Sequence, residues 1–172
     1  MKIRIVVALV ALAALSCDKS ATPFYPGISS FCTVTLSGAV TGTYDCQPAS
    51  VTWSSADSMG TFSFNVTGSG TKPNIGVTIE WLSEPTTRTY ANSDAGAQAV
   101  LAVTASNGQT WRASVGGSTA AAGSYALVFT SVVDNLHEQN GNLYATEGTL
   151  NASLPAVASS GATGVVLLSA AF

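Results

Sequence analysis

The sequence predicts an all-β fold: an antiparallel β-sandwich, immunoglobulin-like or jelly-roll, of about nine strands. Three observations predict it. Apolar residues alternate with Ser and Thr at a period of two along most of the chain. Gly-, Asn- and Pro-rich turn signals separate those runs. Beyond the N-terminal apolar segment, no stretch shows the 3.6-residue periodicity of an amphipathic helix. Charged residues make up 9% of the 172, against roughly 25% in ordinary soluble domains, so the polar faces are built mainly from hydroxyls. The length suits one domain with its own hydrophobic core.

The strands follow in order. "CTVTL" sets Cys32, Val34 and Leu36 on one face and Thr33 and Thr35 on the other. It opens the hairpin "CTVTLSGAVTGTYDC", which folds about Ala39. That fold places Cys32 opposite Cys46, Val34 opposite Tyr44 and Leu36 opposite Gly42, all on one face. A disulfide between Cys32 and Cys46 would staple it. "FSFNV" aligns Phe62, Phe64 and Val66, and "IGVTIEW" aligns Ile75, Val77, Ile79 and Trp81. Next, Ser106-Asn107-Gly108-Gln109 carries Asn-Gly, the signature of a type I′ turn, which needs positive φ at both central residues. It joins a strand ending near Ala105 to one containing Trp111. "YALVFTSV" and "YATEGTLNASL" supply two more strands around Tyr125 and Tyr144, and "TGVVLLSAAF" supplies the ninth.

That last strand alternates Val166, Leu168, Ala170 and Phe172. It resembles the closing strand of bacterial outer-membrane barrels, which end on an aromatic residue. Such barrels have strands of about nine to eleven residues and aromatic girdles at both interfaces. Here most strands are shorter and aromatic residues are 8% of the chain. Phe172 is therefore expected to plug a core.

The first residues form a separate unit. Lys2 and Arg4 precede an apolar run, Ile5 to Leu15. Eleven helical residues at about 1.5 Å each fall well short of roughly 30 Å of hydrocarbon. Small Ala14 and Ser16 bracket Leu15, as a secretory signal over residues 1–16 requires. Ala14-Leu15-Ser16-Cys17 resembles the lipobox of bacterial lipoproteins. That resemblance implies cleavage before Cys17, lipidation of its sulfur, and attachment of the exported chain to a bilayer. It departs from the family at two places, holding Ala14 where Leu is usual and Ser16 where Gly or Ala is usual. Cysteine usage agrees: export favours a Cys32–Cys46 bridge, which leaves Cys17 as the odd one. Residues 17–30, broken by Pro23, Pro26 and Gly27, read as a tether, and 31–172 as a single domain.

Cleavage would remove Lys2 and Arg4, so six basic residues become four against nine acidic ones, a net charge of −5. That balance excludes nucleic acid, which needs clustered Lys and Arg. His137, the single histidine, sits in "VVDNLHEQNGN" with Asp134 and Glu138. Zinc needs three or four ligands and the calcium-loop spacing is absent, so no metal or other cofactor is assigned, and the segment reads as a loop between strands. No G-x-S-x-G elbow and no triad is recognisable, so the chain is read as non-catalytic. Trp81 is expected in the core. Trp53 and Trp111 have polar neighbours and are the candidates for stacking on a saccharide. The expectation is a lipid-anchored envelope module whose partner is a saccharide or another envelope protein. The alternatives are a small outer-membrane barrel and a secreted carbohydrate-binding sandwich.

Overall fold

The computed structural model describes residues 31–47, 49–116, 122–138 and 141–172. The expectations for residues 1–30, lipidation of Cys17 among them, lie outside the described residues. The described chain is all β apart from one turn of 3-10 helix at Ala158–Ser160. In chain order the strands are β1 (Thr33–Gly38), β2 (Gly42–Asp45), β3 (Ser50–Ser54), β4 (Met59–Val66), β5 (Asn74–Trp81) and β6 (Thr89–Ala91). They continue with β7 (Gln98–Thr104), β8 (Thr110–Val115), β9 (Ser124–Glu138), β10 (Gly141–Pro155) and β11 (Val165–Ala171).

All eleven strands belong to one antiparallel sheet, and β10 is where it folds back on itself. The Gly141–Tyr144 end of β10 pairs with β3, and its Thr149–Pro155 end pairs with β11. The other side of β10 follows β9 throughout. One layer therefore runs β2-β1-β11-β10-β9-β6, and the other runs β9-β10-β3-β4-β5-β7-β8. The transition is accommodated by two bulges on β9, where Thr130 and Asn135 have no partner in the β10 register. At the far side, β8 closes against the first layer. Ser114 and Ala122 exchange backbone hydrogen bonds of 2.8 and 2.9 Å, and Trp111 bridges to Ala156.

The expected sandwich thus has its two layers drawn from one folded sheet, with eleven strands instead of nine. The two additional strands are β3 and β6. β6 has one inward residue, Tyr90, so it carries no period to detect. β3 is five residues long, with only Val51 and Trp53 on its inner face.

The first hairpin has the expected register: Val34 faces Tyr44 and Leu36 faces Gly42. The Cys46 N–H donates to the Cys32 carbonyl at 2.9 Å, and the two cysteines are joined by a disulfide with Cα atoms 5.1 Å apart. The Asn-Gly hairpin is present between β7 and β8 with a different turn. Gly108 donates to the Ala105 carbonyl at 2.9 Å, and Gly108 has φ +87° while Asn107 keeps a negative φ. This is the three-residue loop with a bulged glycine, not type I′. Asn107 Oδ1 accepts from the Gln109 N–H at 3.1 Å, a local bond that holds the asparagine in place.

Alternation delivers the apolar side chains to one interior. Phe62 from β4, Phe129 from β9 and Phe172 from the chain end form an aromatic cluster. Phe62 and Phe172 have ring centroids 4.7 Å apart, and Phe129 lies 6.0 Å from each. Trp81 and Tyr90 extend the cluster at 4.5 Å from one another. Phe172 is buried, as expected for a core plug.

Candidate binding face

The period-two alternation that fills the interior leaves a polar outer surface on each layer. On the layer β3-β4-β5-β7-β8, the register sets outward residues in cross-strand rows. One row is Ser50, Ser63, Thr78, Val100 and Ser114. The adjacent row on one side is Asn65, Gly76, Ala102 and Arg112, and on the other side Thr52, Thr61, Glu80 and Gln98. At Gly76 and Ala102 the side chains shrink to nothing and to a methyl, so the surface dips where these neighbours meet. A concavity of about 550 Å³ lies there, with Ser50, Ser63 and Asn65 along it. A second, of about 370 Å³, adjoins it through Thr78 and Val100 and reaches Glu80, Gln98, Arg112 and Ser114. Ser50 and Ser63 are hydrogen-bonded hydroxyl to hydroxyl at 3.0 Å.

The chemistry of this trough is that of reversible polar recognition. It offers one carboxylate, one guanidinium, two amides and several hydroxyls, all on rigid strands. No histidine or cysteine lines it, and its residues form no nucleophile–base pair. The other layer has a depression of about 430 Å³ over β1, β11, β10 and β9. Thr35, Ser37, Asn151, Ser153, Ser169 and Leu167 line it. Its polar groups are uncharged.

The residues singled out in the sequence fall elsewhere. Trp111 is buried, and its Nε1–H donates to the Thr163 carbonyl at 3.1 Å, so its faces are not available to a sugar ring. Trp53 is half-buried and packs against the core cluster from the inner face of β3. The polar neighbours that suggested exposure, Thr52 and Ser54 or Thr110 and Arg112, are simply the outward residues of the same strands. Trp81 is in the core as expected. His137 lies within β9, its backbone opposite Asn142, and not in a loop. A fifteen-residue strand with two bulges loses the period that would have announced it. Among the described residues, no group of three His, Cys, Asp or Glu side chains is placed to hold a metal ion. Sequence reasoning missed the trough because its defining feature is cross-strand: Gly76 and Ala102 are far apart in the chain and adjacent only in register.

The perturbed titratable group lies away from the trough. Burial, followed by the negative charge of Asp94, pushes the Tyr125 phenol up from 10 to about 12. Asp94 is itself engaged: its carboxylate accepts from the Ala91 N–H at 3.1 Å and lies 3.9 Å from Arg88, whose guanidinium covers the Tyr90 ring.

Fold and face together define a class: a disulfide-stapled, sandwich-like all-β domain with hydroxyl-rich outer troughs. No protein-family model, no curated protein and no solved structure matches the chain.

Proposed function

We propose that this chain is an exported lipoprotein of a bacterial cell envelope. In this reading it is anchored through acylated Cys17 and acts as a non-catalytic binding module through the trough over β4, β5, β7 and β8. The observation that carries the reading is the Cys32–Cys46 disulfide. Such bonds persist in oxidising compartments outside the cytosol. This one uses two of the three cysteines, leaving Cys17 at the end of the apolar N-terminal run for another purpose. The outward positions support a module facing water: Thr, Ser and Asn occupy many of them, with Val100, Val133, Val165 and Leu167 as scattered apolar exceptions, while the aromatic cluster points inward, unlike a continuously apolar lipid-facing barrel wall. The mixed donors and acceptors of the trough suit a polyhydroxylated ligand, so a saccharide is the partner favoured over an envelope protein.

The test has two arms. The mature chain from membranes should carry a diacylglyceryl adduct on Cys17 by mass spectrometry, and Cys17→Ser should move it to the soluble fraction. Unchanged processing and membrane attachment of that variant would refute the anchor. For the trough, binding to purified envelope polysaccharide should fall about tenfold in Arg112→Ala, the loss of one charge-assisted hydrogen bond. Equal binding by both proteins would remove the trough from the proposal.

A further inference from the structure

A glycine in the middle of a strand costs backbone entropy and leaves a gap in the ladder of side chains, so its presence calls for a local reason. Two reasons recur in this chain: a positive φ, as at Gly108, and a crowded Cβ position, as at Gly60 against Trp81. Gly76 has neither. It lies within β5 without a positive φ, and a Cβ built on it meets nothing within 4 Å. Among the described glycines it is alone in this. Its missing side chain therefore relieves no contact inside the domain. What it leaves open is the floor of the outer trough, beside the methyl of Ala102.

We infer that the trough takes a linear, neutral glycan laid across the strands, with its closest approach to the backbone at Gly76. This rests on the saccharide reading above. The floor belongs to one cross-strand row, Asn65, Gly76, Ala102 and Arg112, in which two long polar side chains flank two small residues. Three strand spacings separate Asn65 from Arg112, about 14 Å between Cα atoms, which is longer than one sugar ring. A chain of linked rings fills that length, whereas a single ring reaches only one end of it. Among the described residues the Asn65 and Arg112 side chains have no hydrogen-bond or ion-pair partner, so their donors are free for ring hydroxyls. Val100, 44% exposed in the adjacent row, offers an apolar surface to the C–H face of a ring. Charge sets the class of glycan. No charged residue lines the concavity at Gly76; Glu80 and Arg112 both lie in the adjoining one, and acidic residues outnumber basic ones in the chain, nine to six. That balance repels a polyanion, so the sugars over the floor are neutral.

Fragments of purified envelope polysaccharide, fractionated by size from single sugars to longer oligomers, test this by titration calorimetry against the full chain in detergent. Affinity should rise about tenfold from single sugar to tetrasaccharide, as hydrogen bonds along the row are added, and then level off. Gly76→Val should weaken tetrasaccharide binding about tenfold by filling the floor, and Gly76→Ala by less. Ser169→Val, which adds apolar bulk to the outer face of the other layer, should bind as the parent does. A Cβ at position 76 meets no neighbour and valine suits a strand, so both Gly76 variants should fold. The denaturation midpoint and protection of the Cys32–Cys46 bond from alkylation report that they have. Parent-like binding by folded Gly76→Val would overturn the inference, as would equal loss in Ser169→Val, single sugars binding as tightly as tetrasaccharides, or binding confined to acidic fragments. Binding that falls in Arg112→Ala would still uphold the saccharide reading in those cases. If the parent chain binds neither fragments nor intact polysaccharide, both fail together.

Discussion

Tyr125 shows how much one buried residue couples the fold to its conditions. Its ring points inward from the start of β9, and its N–H donates to Asn92 Oδ1 at 2.8 Å. Burial first, and Asp94 second, raise the phenol from 10 to about 12. As the pH rises the unfolded chain releases that proton before the folded one does. The folded state is then the more protonated, so its stability falls as pH rises. The contribution is complete below pH 10 and is lost on the way to about 12. The urea midpoint should therefore drop between pH 9 and about pH 11.5, and Tyr125→Phe should flatten that drop. Gly60 makes a similar point about space. A Cβ there would come within 2.7 Å of Trp81 Cζ2, so the glycine is what lets the indole lie flat over β4. The Trp81 Nε1–H finds no acceptor among the described residues, a cost accepted for that packing. Neither arrangement can be read from the residues flanking Gly60.

At the scale of the element, the β1–β2 hairpin was legible before the structure because three local signals agree on one register. Alternation, the cysteine spacing and the Ser-Gly turn all place Val34 against Tyr44, as found. The disulfide closes a short loop, and in the chain-entropy model a bridge over about fifteen residues contributes about 3 kcal/mol by restricting the unfolded chain. Replacing both cysteines, Cys32→Ser with Cys46→Ser, should lower the unfolding free energy by about that amount. Denaturant titration would check it, and an unchanged midpoint would refute it. Elsewhere the local signal was thinner. At Asn107-Gly108 the dipeptide marks a hairpin, but the length of the loop decides its turn type. At β3 and β6 too few inward residues exist to make a period, so pairing partners and not propensity create the strands. Trp53 and Trp111 were misplaced for a related reason: neighbours in sequence lie on opposite faces of a strand, so polar neighbours say nothing about exposure.

At the scale of the molecule, two layers are made from one sheet, and the last residue helps to join them. Phe172 pairs its backbone with Gly148, through bonds of 2.8 and 3.1 Å, and sends its ring between Phe62 and Phe129. Gly148 stands at the bulge on the β9–β10 ladder, where a Cβ would strike the Val128 carbonyl and lie 2.9 Å from the Phe172 ring. The fold-back of the sheet and the position of the plug are therefore one feature. Phe172→Ala should cost about 3 to 5 kcal/mol, the range for removing a buried phenylalanine. The denaturation midpoint should move while the slope stays constant, since the surface exposed on unfolding is nearly unchanged. A shift below about 1 kcal/mol would mean that the two layers do not depend on this ring.

The sequence by itself determined the fold class, the first hairpin with its disulfide, and the inward destination of Trp81 and Phe172. These depend on period-two alternation and short-range spacing, which act within one strand or one turn. Only the tertiary structure decided that β10 serves both layers, that Trp111 is buried, and that Gly76 and Ala102 meet to hollow the outer face. Those outcomes depend on which strands become neighbours. Strand neighbours are chosen by the collective burial of the apolar faces, a quantity that no local window of residues contains.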